Sequence, residues 1–196
     1  MNVIKIGSFL SLGIIFALTG NPVNALPGQR TDQVAAWING HPTLRPGIGD
    51  GLVVRKSDTA GERFTFQATV LPPGSISYPK DRSTIRSERI AIHDQVNGVT
   101  LERLEESLRT VYGPQIYRDY NSAQFVYTYP SREILELSRR KNLPLWSAEQ
   151  GQLLLGEKYG YWIEITQNDS GKAFIGQLTV FLKEDLGKLE TELRGR

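Results

Sequence analysis

The apolar positions of this chain change their spacing several times, and each change marks an element. Phe64, Phe66, Ala68 and Val70 alternate with Thr65, Gln67 and Thr69. A repeat of two sends successive side chains to opposite faces of a strand, so one face of 64–71 belongs in a core. Pro72-Pro73-Gly74 ends that strand. Ile90 and Ile92 mark a second strand over 88–94, and Leu52-Val53-Val54 is a shorter β-like run. Leu101, Leu104, Leu108 and Val111 then recur at three and four, the stripe of a core-facing helix. Thr100 caps it, Gly113-Pro114 ends it, and Glu105 and Arg109 stand one turn apart as an ion pair. Two short strands are expected over 115–120 and 124–129, joined at Asn121-Ser122.

Ser131 opens a further helix with Glu133 in its first turn and Arg139, Arg140 and Lys141 in its last, charges that suit the helix dipole. Pro144 stops it, and Ser147 to Gln150 has the spacing of a capping box but reaches Gly151 so soon that a single turn is expected. Tyr159, Tyr161, Ile163 and Ile165 alternate with Gly160, Trp162, Glu164 and Thr166, and a strand over 174–182 returns after the turn Asn168-Asp169-Ser170-Gly171. Leu186, Leu189 and Leu193 stripe a closing helix with Glu184 and Asp185 in its first turn. At the other end, Thr31 or Asp32 caps a short helix carrying Val34, Trp37 and Ile38 on one face, and Gly40 and Pro42 stop it. The segment 41–51 is rich in Pro and Gly and reads as loop, and 26–30 reads as a flexible terminus. The sum is a single α+β domain: an antiparallel sheet of about five to seven strands with helices packed on one face. In it, 26–62 supplies a short helix and a Pro/Gly-rich loop, and 63–196 the globular core.

The first 25 residues follow a different pattern. Lys5 and the amino terminus are positive, an apolar run extends from Ile6 to Leu18, and Val23-Asn24-Ala25 places small residues at −3 and −1 of a cut between Ala25 and Leu26. That layout is a secretory signal peptide, because the run is shorter than the ~20 residues needed to span a bilayer. No Cys follows it, so attachment through a lipidated cysteine is excluded. Cleavage leaves 171 residues without a second run of spanning length, so no stable membrane insertion is expected afterwards.

Composition narrows the chemistry. The whole chain carries 23 Lys and Arg against 21 Asp and Glu. Such balance gives no long-range attraction for nucleic acid. The absence of cysteine removes thiol nucleophiles, zinc thiolates and iron–sulfur ligation, and leaves the hydrophobic core to stabilise an exported chain without disulfides. The two histidines, His41 in a Pro/Gly loop and His93 near the end of a strand, have no metal-ligand spacing, so neither a metal nor a cofactor is expected. No G-x-S-x-G elbow and no phosphate-binding glycine loop occurs. Glu102, Glu105 and Glu106 lie opposite the leucine stripe and read as a solvated face.

Two features read as binding surfaces. The loop from Lys80 to Arg89 carries Arg82, Arg86 and Arg89, suited to an acidic partner or head group. The aromatic set Tyr117, Tyr120, Tyr127, Tyr129, Trp146, Tyr159, Tyr161 and Trp162 is mostly expected to pack, as rings do on half-buried strands. Trp162 is the exception: it shares the polar face with Glu164 and is expected to be an exposed contact anchor.

The leader ending Asn24-Ala25-Leu26-Pro27-Gly28, the strand Arg63 to Ala68 running into Leu71-Pro72-Pro73-Gly74, the helix from Leu101 to Gly113 and the ending Phe181 to Arg194 resemble small exported proteins of cyanobacteria without an established activity. The resemblance covers most of the mature chain, carries no catalytic or binding motif, and implies an envelope or thylakoid-lumen location. The expected function is therefore an exported non-enzymatic domain that binds a protein or an envelope component. The alternatives are a periplasmic hydrolase assembled around His93, and a glycan or peptidoglycan binder using exposed aromatics.

Overall fold

The computed structural model describes residues 26–195. Its centre is one seven-stranded antiparallel sheet in the order β1-β2-β3-β7-β6-β5-β4. The strands are β1 (Val53–Lys56), β2 (Glu62–Thr69), β3 (Ser87–Asp94), β4 (Gln124–Tyr129), β5 (Glu149–Leu155), β6 (Tyr159–Gln167) and β7 (Ala173–Leu182). The helices are α1 (Thr31–Gly40), α2 (Leu101–Asn121), α3 (Arg132–Lys141) and α4 (Leu186–Arg194). This is the α+β, mainly antiparallel architecture that the alternation of apolar residues implies.

The two faces are covered unequally. On the first, Phe66, Ala68, Ile90, Ile92, Leu178, Val180, Tyr161 and Ile163 meet Val34 and Ile38 of α1 and Leu104, Leu108 and Val111 of α2 in one buried cluster. Trp37 of α1 stacks near Tyr112 of α2, ring centroids 6.3 Å apart. On the second face a smaller cluster joins Leu189 and Leu193 of α4 to Leu153, Trp162, Phe181 and Tyr129. Thus α1 and α2 fill one face as expected, and α4 covers a corner of the other, leaving the rest of that face open. Close approach on the second face depends on glycine: a Cβ at 160 would overlap the ring of its cross-strand partner Phe181, and one at 151 would overlap Tyr129.

The cap signals at Thr100 and Ser131 and the turn signal at Asn168 are realised, whereas the cap expected at Thr31 or Asp32 falls to Arg30, because the helix already includes Thr31 and Asp32. Thr100 Oγ1 accepts from the Arg103 amide at 3.2 Å and Ser131 Oγ from the Ile134 amide at 3.3 Å. The Asn168 side chain accepts from the amides of Ser170 and Lys172, closing the β6–β7 turn. Arg103 ties the start of α2 to the sheet through Asp94 (2.5 Å) and Glu62 (2.6 Å).

Four further expectations are corrected. The segment 115–120 is helical, not a strand. Gly113 adopts φ 76°, ψ −174°, which breaks the helix and re-aims it, and Pro114 then suits the first turn of a renewed helix because it lacks only a donor that has no partner there. Ile116 and Tyr120, four apart, are both buried as a helix requires. Second, β5 occupies a stretch expected to hold only a turn; its Leu153 and Leu154 are buried on opposite faces, so no alternation shows in the sequence. Third, Arg109 pairs with Glu106 at 2.8 Å, while Glu105 accepts from Tyr120 Oη at 2.9 Å. Fourth, 26–30 is pinned: Leu26 is buried, and backbone hydrogen bonds join Gly28 to Ile85, Ile85 to Gln29 and Thr31 to Ser83. The expected signal peptide and the cleavage position Ala25 lie outside the described residues.

Candidate binding cleft

The open part of the second face forms the floor of a cleft of about 960 Å³, at the upper end of the volume usual for small-molecule sites. Strand register builds that floor. Gln67 of β2 stands opposite Arg89 of β3, Arg89 opposite Thr179 of β7, and Thr179 opposite Trp162 of β6, a single row across four strands. The next row contains Gln177 opposite Glu164. The far wall is the loop Leu71 to Ile76, and Glu192 and Gly195 bound the cleft on the α4 side.

The wall is held by α4. Lys188 Nζ donates to the carbonyls of Pro73 (3.0 Å) and Ser75 (2.9 Å) and pairs with Glu192 at 2.8 Å, while Glu192 accepts from the Ser75 amide at 2.8 Å. Gly74 permits this approach, since its φ of 85° disfavours a side chain and a Cβ there would run into Glu192. Ser87 Oγ donates to the Leu71 carbonyl at 2.9 Å and fastens the loop to the floor.

Polar groups around the floor are mostly engaged with one another. Trp162 Nε1 donates to Tyr129 Oη at 2.7 Å, Tyr129 donates to Glu164, and Gln177 Nε2 donates to Glu164 at 3.0 Å. Arg89 Nη2 donates to Gln67 Oε1 at 2.9 Å, and among the described residues Arg89 makes no ion pair. Thr179 is only 3% exposed, and its hydroxyl has no hydrogen-bond partner among the described residues. An unmade hydrogen bond at a buried hydroxyl costs about 1–3 kcal/mol, and Thr179 is one of the residues that line the cleft.

No family model, curated protein or solved structure matches this chain. The cleft must be read from its own chemistry.

The structure distributes the expected binding residues unevenly. Trp162 is 7% exposed, because α4 lies over its ring, so the expectation of an exposed anchor is corrected. The exposed tryptophan is Trp146 at 48%. Arg86 is occupied: it donates to Asp185 from Nε (3.1 Å) and Nη2 (2.6 Å) and pairs with Glu184 at 2.7 Å, which raises its pKa further. It is a brace between β3 and the turn before α4. Arg82 is exposed beside Tyr78, 5.9 Å from that ring's centroid. Of the three arginines, Arg89 alone lines the cleft.

His93 faces the same side of the sheet two rows from Arg89, between Arg63 and Ile175. Neither neighbour supplies a nucleophile or an orienting carboxylate, and the adjacent Asp94 points away to Arg103 and the amides of Val96 and Asn97. Those donors hold the Asp94 carboxyl below the usual carboxylate range. His41 is structural: its Nδ1 accepts from the amides of Thr43 and Leu44, so Nε2 carries the proton and donates at 2.9 Å to Val111, whose carbonyl lies at the break in α2. Burial lowers its pKa. Among the described residues no group of three or more His, Asp or Glu is arranged to hold a metal ion, and no helix is long and apolar enough to cross a membrane.

The residues that sequence reasoning missed are Gln67, Thr179 and Gln177. Their signal was their place as polar members of alternating strands, which identifies a face but not the company that register brings to it.

Proposed function

We propose that this chain is an exported, non-enzymatic domain that binds an envelope component, with the cleft between the sheet and the Leu71–Ile76 loop as its site. One observation carries the reading: a buried Thr179 hydroxyl at the floor of a 960 Å³ cleft, unpaired among the described residues and flanked in register by an arginine that makes no ion pair with any of them. Paired polar groups would make an inert floor; an unpaired one gains from a ligand. The leader layout supports export, and the register neighbours of His93, Arg63 and Ile175, are neither nucleophile nor carboxylate, which favours binding over hydrolysis. A periplasmic or thylakoid-lumen setting goes with the resemblance to exported cyanobacterial proteins.

Native mass spectrometry on C-terminally tagged protein, purified gently from its own host, tests this. The expected species begins at Leu26 and carries a bound component that is lost in Gln67→Trp, where an indole fills the cleft. Retention of the component in that variant would move binding away from the cleft, and an uncleaved mass would overturn export.

A further inference from the structure

We infer that the cleft takes an acidic oligosaccharide, with a carboxylate on Arg89 and a sugar hydroxyl on Thr179; this rests on the cleft being the binding site. Charge selects the carboxylate. The acids nearest the floor are engaged, Glu192 with Lys188 and the Ser75 amide and Glu164 with Tyr129 and Gln177. Arg89 gives one bond to a neutral amide and keeps further N–H donors in the planar arrangement that matches a carboxylate. A single unpaired cation suits one carboxylate on an otherwise neutral ligand, whereas a polyanion such as nucleic acid needs several.

The rest of the floor selects hydroxyls. Thr179 offers one group, unpaired among the described residues, that both donates and accepts, and the side-chain amides of Gln67 on β2 and Gln177 on β7, each already in one bond, keep further donor and acceptor positions. The row from Gln67 to Trp162 crosses three inter-strand gaps, roughly 14 Å at the usual strand spacing, the reach of a short oligosaccharide. Ile76 on the wall, 70% exposed, supplies apolar surface for the C–H face of a sugar ring. An extended peptide is disfavoured because its main chain pairs with a sheet edge, and this floor is a sheet face made of side chains.

The test is a titration of the 15N-labelled mature chain with an aldotriouronic acid, a trisaccharide with one uronic acid on two neutral sugars, and with its methyl ester, which keeps every hydroxyl and removes the charge. The expected result is that the acid shifts the Trp162 indole N–H resonance. Esterification or Arg89→Gln should weaken binding at least tenfold, Thr179→Val several-fold, and Arg82→Gln, outside the cleft, not at all. Equal affinity for acid and ester, or no effect of Arg89→Gln, would overturn the carboxylate assignment. Binding of neither trimer would overturn the ligand class; a host component still displaced by Gln67→Trp would then leave the cleft reading standing, whereas one indifferent to Gln67→Trp would remove both.

Discussion

Glu88 is the residue whose chemistry departs most from its type. Register sets it between Ala68 and Val180 on the face covered by α2, so it is fully buried with one hydrogen bond, accepted from Tyr112 Oη at 2.7 Å. Its second oxygen has no partner among the described residues. Desolvation pushes its carboxyl up from 4.5 to about 8, against the smaller pull of the tyrosine. The folded protein therefore holds a proton that the unfolded chain releases near pH 4.5, and stability falls as pH rises from there toward 8. His41 acts in the opposite sense: with its folded pKa lowered, stability falls as pH drops below 6.5. Glu88→Gln should match the parent near pH 4 and exceed it by on the order of 4 kcal/mol at pH 8, measured by urea unfolding across that range. An offset independent of pH would mean that Glu88 is not the titrating group. Nothing in the strand pattern distinguishes Glu88 from a solvent-facing acid. It falls in phase with Ile90 and Ile92, and only the helix packed above turns that phase into burial.

At the scale of elements, α2 shows how one residue redirects a chain. The break at Gly113 lies in a backbone region (φ 76°, ψ −174°) that side chains avoid, and a Cβ there would touch nothing. Gly113→Ala therefore isolates backbone cost, about 1–3 kcal/mol of lost stability, read from the shift in urea midpoint. A negligible shift would show that the break tolerates another conformation. The leucine stripe of 101–111 was legible because its contacts repeat within one helix. The continuation was not, because Gly-Pro is a stop signal in most contexts and only burial of Ile116 and Tyr120 against the core restarts the helix. In the same way β2, β3, β6 and β7 were legible from alternation, while β5 was hidden because both its faces are covered.

At the scale of the whole molecule, α4 decides what the second face can do. It buries Trp162, holds the cleft wall through Lys188 and Glu192, and is anchored at its start by the Arg86–Asp185 pair. Both members of that pair are largely shielded, with 22% and 8% of their side chains exposed. Removing one charge strands the other, so Arg86→Met alone should cost about 2–3 kcal/mol, and Arg86→Met with Asp185→Leu should recover part of that. A double-mutant cycle in urea measures the coupling, and additive effects would show that the pair does not brace α4. Arg86 could not be separated from Arg82 and Arg89 by sequence, since all three are basic residues in one stretch. The sequence by itself determined the elements whose signals are short-ranged: alternating strands, striped helices, the caps at Thr100 and Ser131, the turn at Asn168 and the leader pattern. The tertiary structure alone decided which polar residues meet. Gln67, Arg89, Thr179 and Trp162 are remote in sequence and neighbours in space, because antiparallel register and the docking of α4 are long-range pairings that local periodicity does not contain.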